Sequence, residues 1–455
     1  MKLLKKSAKS NGYTGNAVVV GLGRSAIACA THLIDNGWDV EMAELKSQPG
    51  LERNVSALLP GVAINAPLES DLFVGKDLVV LSCTSAPSNF RIARMAREYG
   101  AEVMNSLELF FHCADKPVIS ITGTNGKSSV TTLVSNIISR YRGVVQLGGC
   151  RGYPFMELLK KRQADTYLLE LSAPHLEQVE RIQSDVAAVL NVSPDHLERY
   201  KSTDACVSAM AKLIGDAKIA VINRDDSIVS DVSTTGQRIT FGLNSPECEE
   251  DYGVVDFSGV NWVVRGDVKL LNLDRCQISG DHNVLNILAS CAVADAAGYP
   301  VKAVRTAVTN FEGLPYRCST EGEWNGVRWV NDARSANVGA ALAAIQSNER
   351  PVILIAGGLS KGADFSMIPQ NVNGRLRGCI FFGRDRREIS KTFDVTDNVA
   401  KHHVEDIYDA ISVANSMTKE GDCVVFSPGC ASNDQFTDFE HRGKSFSQAL
   451  QLQVL

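Results

Sequence analysis

The run Thr122-Gly123-Thr124-Asn125-Gly126-Lys127-Ser128-Ser129 constrains this chain more than any other stretch. It follows the apolar Val118-Ile119-Ser120-Ile121 and opens a helical pattern over 130–140. A glycine-rich turn between a strand and a helix aims several backbone N–H groups at one point, and the helix dipole adds to them, so the turn favours phosphate. Lys127 supplies a mobile positive charge for the outer phosphates, and Ser128 or Ser129 offers a hydroxyl to Mg²⁺. The two glycines stand closer together than in the commoner phosphate loop. A unit of this kind belongs in an α/β domain with a largely parallel sheet.

The rest of the chain keeps that alternation. Its 455 residues suffice for about two to four domains with their own cores. A formal net charge of −6 argues against a nucleic-acid partner, because no basic face is evident to neutralise a phosphate backbone. Phosphate binding must then be local. No apolar run approaches the length of a membrane span. The basic start, Met1-Lys2-Leu3-Leu4-Lys5-Lys6, lacks the apolar region of a signal peptide. Twelve cysteines contain no C-x-x-C pair, which reads as reduced thiols in a cytoplasmic protein rather than a disulfide or zinc framework.

Three regions are expected: 1–115, 116–313 and 314–455. The first opens with Ala17 to Val20, then Gly21-Leu22-Gly23-Arg24-Ser25-Ala26, a helix to about Asn36, and a strand from Asp39 to Ala43 ending at Glu44. This is a G-x-G-x-x-[GA] dinucleotide pattern with a following acidic residue. The region has room for only about half a full dinucleotide domain, so a nucleotide diphosphate is the better ligand. The second region carries strands at Thr166 to Leu171 and Val186 to Asn191, and the segment Gly280-Asp281-His282-Asn283. Gly313-Leu314-Pro315 marks a boundary. Beyond it, strands at Val327 to Val330, Val352 to Ala356, Gly378 to Phe382 and Cys423 to Ser427 read as a smaller α/β domain.

In the central region, Tyr167-Leu168-Leu169-Glu170-Leu171-Ser172 puts a carboxylate at the carboxyl end of an apolar strand, where open α/β sheets bind ligands. Asn191-Val192-Ser193-Pro194-Asp195-His196 does the same for an imidazole. Hydroxyl, carboxylate and imidazole beside a phosphate loop would make an Mg²⁺ site, although imidazole is a less usual ligand for so hard an ion. On pattern alone Glu170 could instead be a helix N-terminal acid and His196 a loop histidine. Lys212, in Ala209-Met210-Ala211-Lys212-Leu213, reads as a helix-surface lysine.

The motifs T-G-T-N-G-K-S-S, L-L-E-L-S, L-N-V-S-P-D-H-L-E-R-Y, G-D-H-N-V-L-N and G-L-P-Y-R, in this order, resemble the Mur ligase family. The resemblance implies a three-domain, ATP-dependent amide-bond ligase of peptidoglycan precursor synthesis. Within the family, Ser427-Pro428-Gly429-Cys430-Ala431-Ser432-Asn433-Asp434-Gln435-Phe436 and Phe439-Glu440-His441-Arg442-Gly443 resemble the member that adds D-glutamate to UDP-N-acetylmuramoyl-L-alanine. By that resemblance, Gly123, Thr124, Asn125, Gly126, Lys127, Ser128 and Ser129 hold the ATP phosphates. Asn283 and Asn286 face the adenine, and Arg317 and Asp332 reach the nucleotide from the third domain, so that closure is needed for catalysis. Ser128 and Glu170 bind one Mg²⁺. His196 and Lys212, the latter matching the family's carbamylated lysine, bind a second. Lys127, Glu170, His196 and Lys212 form the catalytic set.

The resemblance further implies that Gly23, Arg24, Ser25, Glu44 and Ser82 bind the UDP end of the substrate, with Cys150, Ser172 and His175 along its length. Lys361, Ser432 and Phe439 would hold glutamate. A monomer is expected. Several positions depart from the family pattern. Cys150 stands where asparagine is usual, Ala173-Pro174-His175 replace Ser-Phe-Gln, and Tyr316 replaces histidine. Asp332-Ala333-Arg334-Ser335-Ala336-Asn337 stands where D-S-K-x-T-N is usual, so a threonine is lost at Ala336 and a lysine becomes Arg334. These changes keep open a sister ligase using L-glutamate or another acidic amino acid. A folylpolyglutamate-synthase-like enzyme would lack the nucleotide domain at Gly21 to Glu44. An NAD-dependent oxidoreductase would leave the Lys127 loop without a task, and a non-catalytic nucleotide-binding protein would not need the four catalytic residues.

Overall fold

The computed structural model describes residues 15–82, 88–141, 143–150, 153–160, 163–177, 179, 182–192, 203–372, 374–394 and 399–453, with 88, 89 and 203–206 described by backbone alone. The expected basic start and His196 lie outside the described residues. The chain forms three sheets and divides into two compact units, one of 1–192, 206–271 and 287–308, the other of 193–205, 272–286 and 309–455.

In the first unit, β1 (Asn16–Val20), β2 (Asp39–Ala43), β3 (Ile64–Asn65), β4 (Leu78–Leu81) and β5 (Glu102–Asn105) build a sheet of order β3-β2-β1-β4-β5. All its pairings are parallel. This corrects the expectation of half a dinucleotide domain. The sheet has five strands in the doubly wound order, made compact by short strands such as the two-residue β3. The helix after the glycine loop, α1 (Arg24–Asp35), buries Ala26, Ala28, Cys29, Ala30 and Leu33.

The second sheet contains β6 (Val118–Thr122), β7 (Val145–Gly149), β8 (Thr166–Glu170), β9 (Val186–Val189), β10 (Ile219–Asn223), β11 (Gln237–Phe241), β12 (Tyr252–Asp256), β13 (Asn261–Arg265) and β14 (Val268–Asn272). Their order is β14-β13-β12-β11-β10-β9-β6-β8-β7. Every residue of β6, β8 and β9 is buried. Continuous burial is what a central parallel strand covered on both faces requires, and it explains the unbroken apolar runs. An antiparallel β12–β13 pair extends the sheet; the spacing of apolar runs had not signalled it. The phosphate loop leads into α2 (Lys127–Arg140), and α3 (Ala173–Glu177) follows β8. Lys212 sits on α4 (Thr203–Gly215), and α5 (Asp281–Ala296) begins in Gly280-Asp281-His282-Asn283.

In the second unit, β15 (Ser319–Trp324), β16 (Val327–Asn331), β17 (Val352–Gly357), β18 (Leu376–Phe382), β19 (Ala400–His403) and β20 (Cys423–Phe426) take the order β15-β16-β20-β17-β18-β19. Along β17, Val352, Leu354 and Ala356 enter one core and Ile353 and Ile355 the other. That is the period-two alternation of a strand covered on both faces. The last helix, α6 (Phe439–Gln453), buries Phe446, Ala449 and Leu450 against the second of these cores.

Candidate active site

The phosphate loop lies at the carboxyl end of β6, between β9 and β8 in the sheet. Gly123 has φ +144°, and a Cβ there would stand 3.0 Å from Leu190 Cβ and 3.2 Å from the Asn191 nitrogen. The loop is braced by the next strand end. Thr124 N–H donates to the Asn191 carbonyl at 2.9 Å. Asn125 N–H donates to Asn191 Oδ1 at 2.8 Å, and Asn191 Nδ2 donates back to the Asn125 carbonyl at 3.0 Å. Lys127 Nζ folds over the loop, donating to the carbonyls of Gly123 at 2.5 Å and Thr124 at 2.8 Å. Ser128 and Ser129 are buried at the start of α2.

Beneath the loop, Ser128 Oγ donates to Glu170 Oε1 at 2.8 Å. Glu170 is 2% exposed, and its Oε2 is buried without a hydrogen-bond partner among the described residues. A buried carboxylate oxygen lacking a donor is costly, and a serine hydroxyl beside a carboxylate is an oxygen donor set that suits a hard cation. The pair therefore fits Mg²⁺. Among the described residues no three His, Cys, Asp or Glu side chains gather into a metal-holding group, and His196 lies outside them. Lys212, as the unmodified amine, donates to the carbonyls of Val179 at 3.0 Å and Glu177 at 3.4 Å.

Cys150, Ser172 and His175 meet at the ends of β7 and β8. Ser172 N–H donates to His175 Nδ1 at 3.1 Å, and Cys150 Sγ lies 3.8 Å from the same nitrogen. Burial, and then the charge of Lys127, push the His175 pKa down to about 4. The imidazole is therefore neutral at physiological pH, with its Nδ1 lone pair accepting.

In the first sheet, Gly21 and Ser82 lie at the ends of adjacent β1 and β4. A Cβ on Gly21 would meet Ser82 Oγ at 2.4 Å, so only glycine lets these strand ends approach. Gly23 caps α1 through its backbone, without a side-chain cap. Glu44 Oε1 accepts from Leu45 N–H at 2.9 Å. Arg24 makes a bidentate pair with Glu157, at 3.1 and 2.8 Å, and lies 5.6 Å over the Tyr153 ring. These residues border a cleft of about 630 Å³ that also includes Gly23, Ile27 and Thr31. Ser25 lies in the first turn of the same helix. Neither Tyr153 nor Glu157 was singled out from the sequence, because nothing local marks a residue that meets another domain's loop.

The second unit holds the remaining expected residues. Asn283 Nδ2 donates to the Ser279 carbonyl at 2.9 Å, and Asn286 is 9% exposed. Arg317 Nε is buried without a hydrogen-bond partner among the described residues, a donor suited to an anion. Asp332 is buried, accepting from Ser427 Oγ at 2.6 Å and Cys318 N–H at 3.2 Å. Burial raises its pKa to about 6 despite those donors. Lys361 has φ +52°, two residues after Leu359, whose N–H and C=O pair with Ala431 at 3.2 and 3.1 Å. That pairing sets the Lys361 loop against buried Ser432. Phe439 opens α6 beneath the Arg334 guanidinium, 4.7 Å from its ring centroid. Arg442, with no role assigned from sequence, is 1% exposed and donates to the carbonyls of Ala333, Ser335 and Cys430.

The ten cysteines whose side chains are described are free thiols. Among the described residues no helix is long and apolar enough to cross a membrane.

Comparison with known proteins bears on the same residues. The profile of the Mur ligase middle domain matches residues 121–294, and that of the Mur ligase glutamate ligase domain matches 316–430. The UDP-N-acetylmuramoylalanine–D-glutamate ligase of Nitrosococcus oceani is 38% identical over 442 residues, covering 95% of this chain and 96% of the relative. The ligase of the same name from Marinobacter nauticus is 35% identical, covering 94% of this chain and 96% of the relative. Among solved structures, UDP-N-acetylmuramate–alanine ligase from Thermotoga maritima superposes with a TM-score of 0.58 at 20% identity, covering 96% of this chain and 99% of its own. A pseudomurein peptide ligase type C from Methanothermus fervidus gives 0.60 at 16%, with the same coverages. At those identities the structures speak for the three-domain α/β fold alone. With both family profiles and near full-length relatives matched, the chain belongs to the Mur ligase family.

Proposed function

We propose that this chain is an ATP-dependent ligase that adds D-glutamate to UDP-N-acetylmuramoyl-L-alanine, giving ADP and phosphate, in peptidoglycan precursor synthesis. The observation that carries the chemistry is the Ser128–Glu170 pair under the phosphate loop, with one buried carboxylate oxygen unmatched. The choice of substrates rests on the relatives that match the whole chain.

In this reading the L-alanyl carboxylate attacks the γ-phosphorus of ATP, the bond to the β-phosphate oxygen breaks, and ADP leaves. The amine of glutamate then attacks the acyl carbon. The carbon–oxygen bond to phosphate breaks, and the amine proton is lost. The chain's work is to position these groups and stabilise charge on the phosphoryl oxygens. The loop N–H groups and Lys127 hold the phosphates. Ser128 and Glu170 would hold Mg²⁺, which when bound neutralises phosphate charge. We assign His196 and carbamylated Lys212 to a second ion, and Asn283, Asn286, Arg317 and Asp332 to the nucleotide. Gly23, Arg24, Ser25, Glu44 and Ser82 take the UDP end, Cys150, Ser172 and His175 the rest of the acceptor, and Lys361, Ser432 and Phe439 the glutamate. Arg24 exchanges Glu157 for substrate in this assignment. We further place the reaction in the bacterial cytoplasm and take the protein as a monomer.

The test is phosphate release from ATP with Mg²⁺ and UDP-N-acetylmuramoyl-L-alanine, comparing D-glutamate, L-glutamate and no amino acid. Turnover with D-glutamate alone is expected. Turnover with L-glutamate alone would move the specificity, with Arg334 and Ala336 as the first suspects. No release with either would overturn the acceptor assignment.

A further inference from the structure

The phosphate loop takes its shape from glycines, which permit that shape without holding it. Gly123 has φ +144° and Gly126 φ +85°, backbone conformations that glycine enters at little cost and leaves as readily. Neither brings a side chain to anchor the loop, and the helix cap at Gly126 makes no side-chain hydrogen bond. Such a loop loses conformational entropy on binding phosphate unless another group fixes it beforehand.

Asn191, two residues beyond the end of β9, is placed to do so. Its side-chain amide meets both polar groups of one loop residue. Oδ1 accepts from Asn125 N–H at 2.8 Å, and Nδ2 donates to the Asn125 carbonyl at 3.0 Å. These two partners decide which end of the amide is oxygen. The Asn191 carbonyl accepts from Thr124 N–H at 2.9 Å. Asn191 is itself held from both sides. Buried Asn223 donates from Nδ2 to the Leu190 carbonyl at 2.8 Å, and Val192 N–H donates to Asp226 Oδ2 at 2.8 Å. Asp226 is anchored in turn, its Oδ1 capping the short helix Ser227–Ser230. The end of β10 and the turn after it thus aim the amide, and the amide aims the loop.

We propose that Asn191 is a positioning residue for ATP, whose side-chain amide holds the phosphate loop in place before the nucleotide arrives. This rests on the functional reading above and deepens it. Thr124 N–H and Asn125 N–H are directed at Asn191, so phosphate contact falls to the start of α2 and to Lys127. Lys127 Nζ is held by the carbonyls of Gly123 and Thr124, on the stretch that Asn191 ties down. One amide therefore governs the place of the loop and of its cation. Only an amide serves, because a carboxylate accepts without donating and an alkyl group does neither.

The test uses full-length Asn191→Ala and Asn191→Asp. Calorimetric titration with a non-hydrolysable ATP analogue and Mg²⁺ is followed by KM values for ATP, acceptor and whichever glutamate enantiomer supports turnover. A wild type that does not bind the analogue overturns the functional reading and this assignment with it. Asn191→Ala should weaken the analogue and raise the ATP KM about 10- to 100-fold, the scale of two lost hydrogen bonds. The KM of acceptor and glutamate should stay within about twofold. Asn191→Asp, close to wild type in shape, should bind the analogue at least as weakly, since it sets a negative charge against the Asn125 carbonyl and beside the phosphates. Its loss should shrink as salt is raised. Wild-type affinity for the analogue in either variant would overturn the proposal. So would an equal rise in all three KM values, which would mark a structural residue.

Discussion

Ser128 Oγ donates to Glu170 Oε1 across 2.8 Å, joining the first turn of α2 to the end of β8. The bond occupies Oε1 and leaves Oε2 buried without a hydrogen-bond partner among the described residues, which is the oxygen we propose for Mg²⁺. Glu170→Gln should therefore lower phosphate release by about 100-fold or more, as expected for loss of electrostatic stabilisation at transferring phosphoryl groups. It should also abolish the extra thermal stabilisation that Mg²⁺ adds to bound nucleotide. Thermal unfolding with nucleotide, with and without Mg²⁺, checks the second effect independently of turnover.

The loop backbone is the next target. Gly123→Ala places a methyl group against Leu190 and the Asn191 backbone at a φ of +144°. The strain is on the order of 1–2 kcal/mol, which the loop can relieve only by leaving its place beside Asn191. Nucleotide affinity should fall by about tenfold, read by calorimetric titration, with the melting temperature little changed.

Two buried groups titrate in the same acid range with opposite signs. Asp332, raised by burial to about 6 from the ordinary 3.8, is protonated in the folded chain at pH values where the unfolded chain has already ionised. It therefore makes stability fall as pH rises from about 4 to about 6. His175, lowered to about 4 from 6.5, stays neutral where the unfolded chain has gained a proton. It makes stability fall as pH drops from about 6.5 to about 4. Each contribution is on the order of 3 kcal/mol. Melting temperatures from pH 4 to pH 7 should show Asp332→Asn removing a loss toward neutral pH and His175→Gln removing a loss toward acid pH.

Much of this was legible in the chain because the site sits where strands end. The run Val118 to Ile121 reads as a buried strand, and the glycines after it as a phosphate turn, since both signals are local. Glu170 is visible for the same reason, as a charge terminating an apolar run. The five-strand size of the first sheet was not legible, because β3 is two residues long and leaves almost no pattern. Nor was Arg442, whose partners are the carbonyls of Ala333 and Ser335, distant in sequence, and of Cys430. Backbone acceptors carry no side-chain signature. The Arg24–Glu157 pair spans 133 residues and is invisible for a related reason.

Arg442 should prove costly to remove. Arg442→Met keeps most of the volume but leaves three carbonyls without their donor inside the fold. Loss of a buried charged donor of this kind costs about 3 kcal/mol. The melting temperature should fall, and the glutamate KM should rise more than that of ATP, because one of the loops freed carries Ser432. A variant as stable as wild type would show that those carbonyls find other partners.

The central claim is that the acceptor carboxylate is phosphorylated before the amide forms. The direct measurement uses UDP-N-acetylmuramoyl-L-alanine labelled with ¹⁸O in the alanyl carboxylate, with ATP, Mg²⁺ and D-glutamate, and mass analysis of the phosphate released. Transfer of one labelled oxygen to each phosphate, matched by formation of the glutamyl product, is the predicted result. Phosphate carrying oxygen from solvent water instead, without product, would contradict the account and reduce the chain to a nucleotide hydrolase.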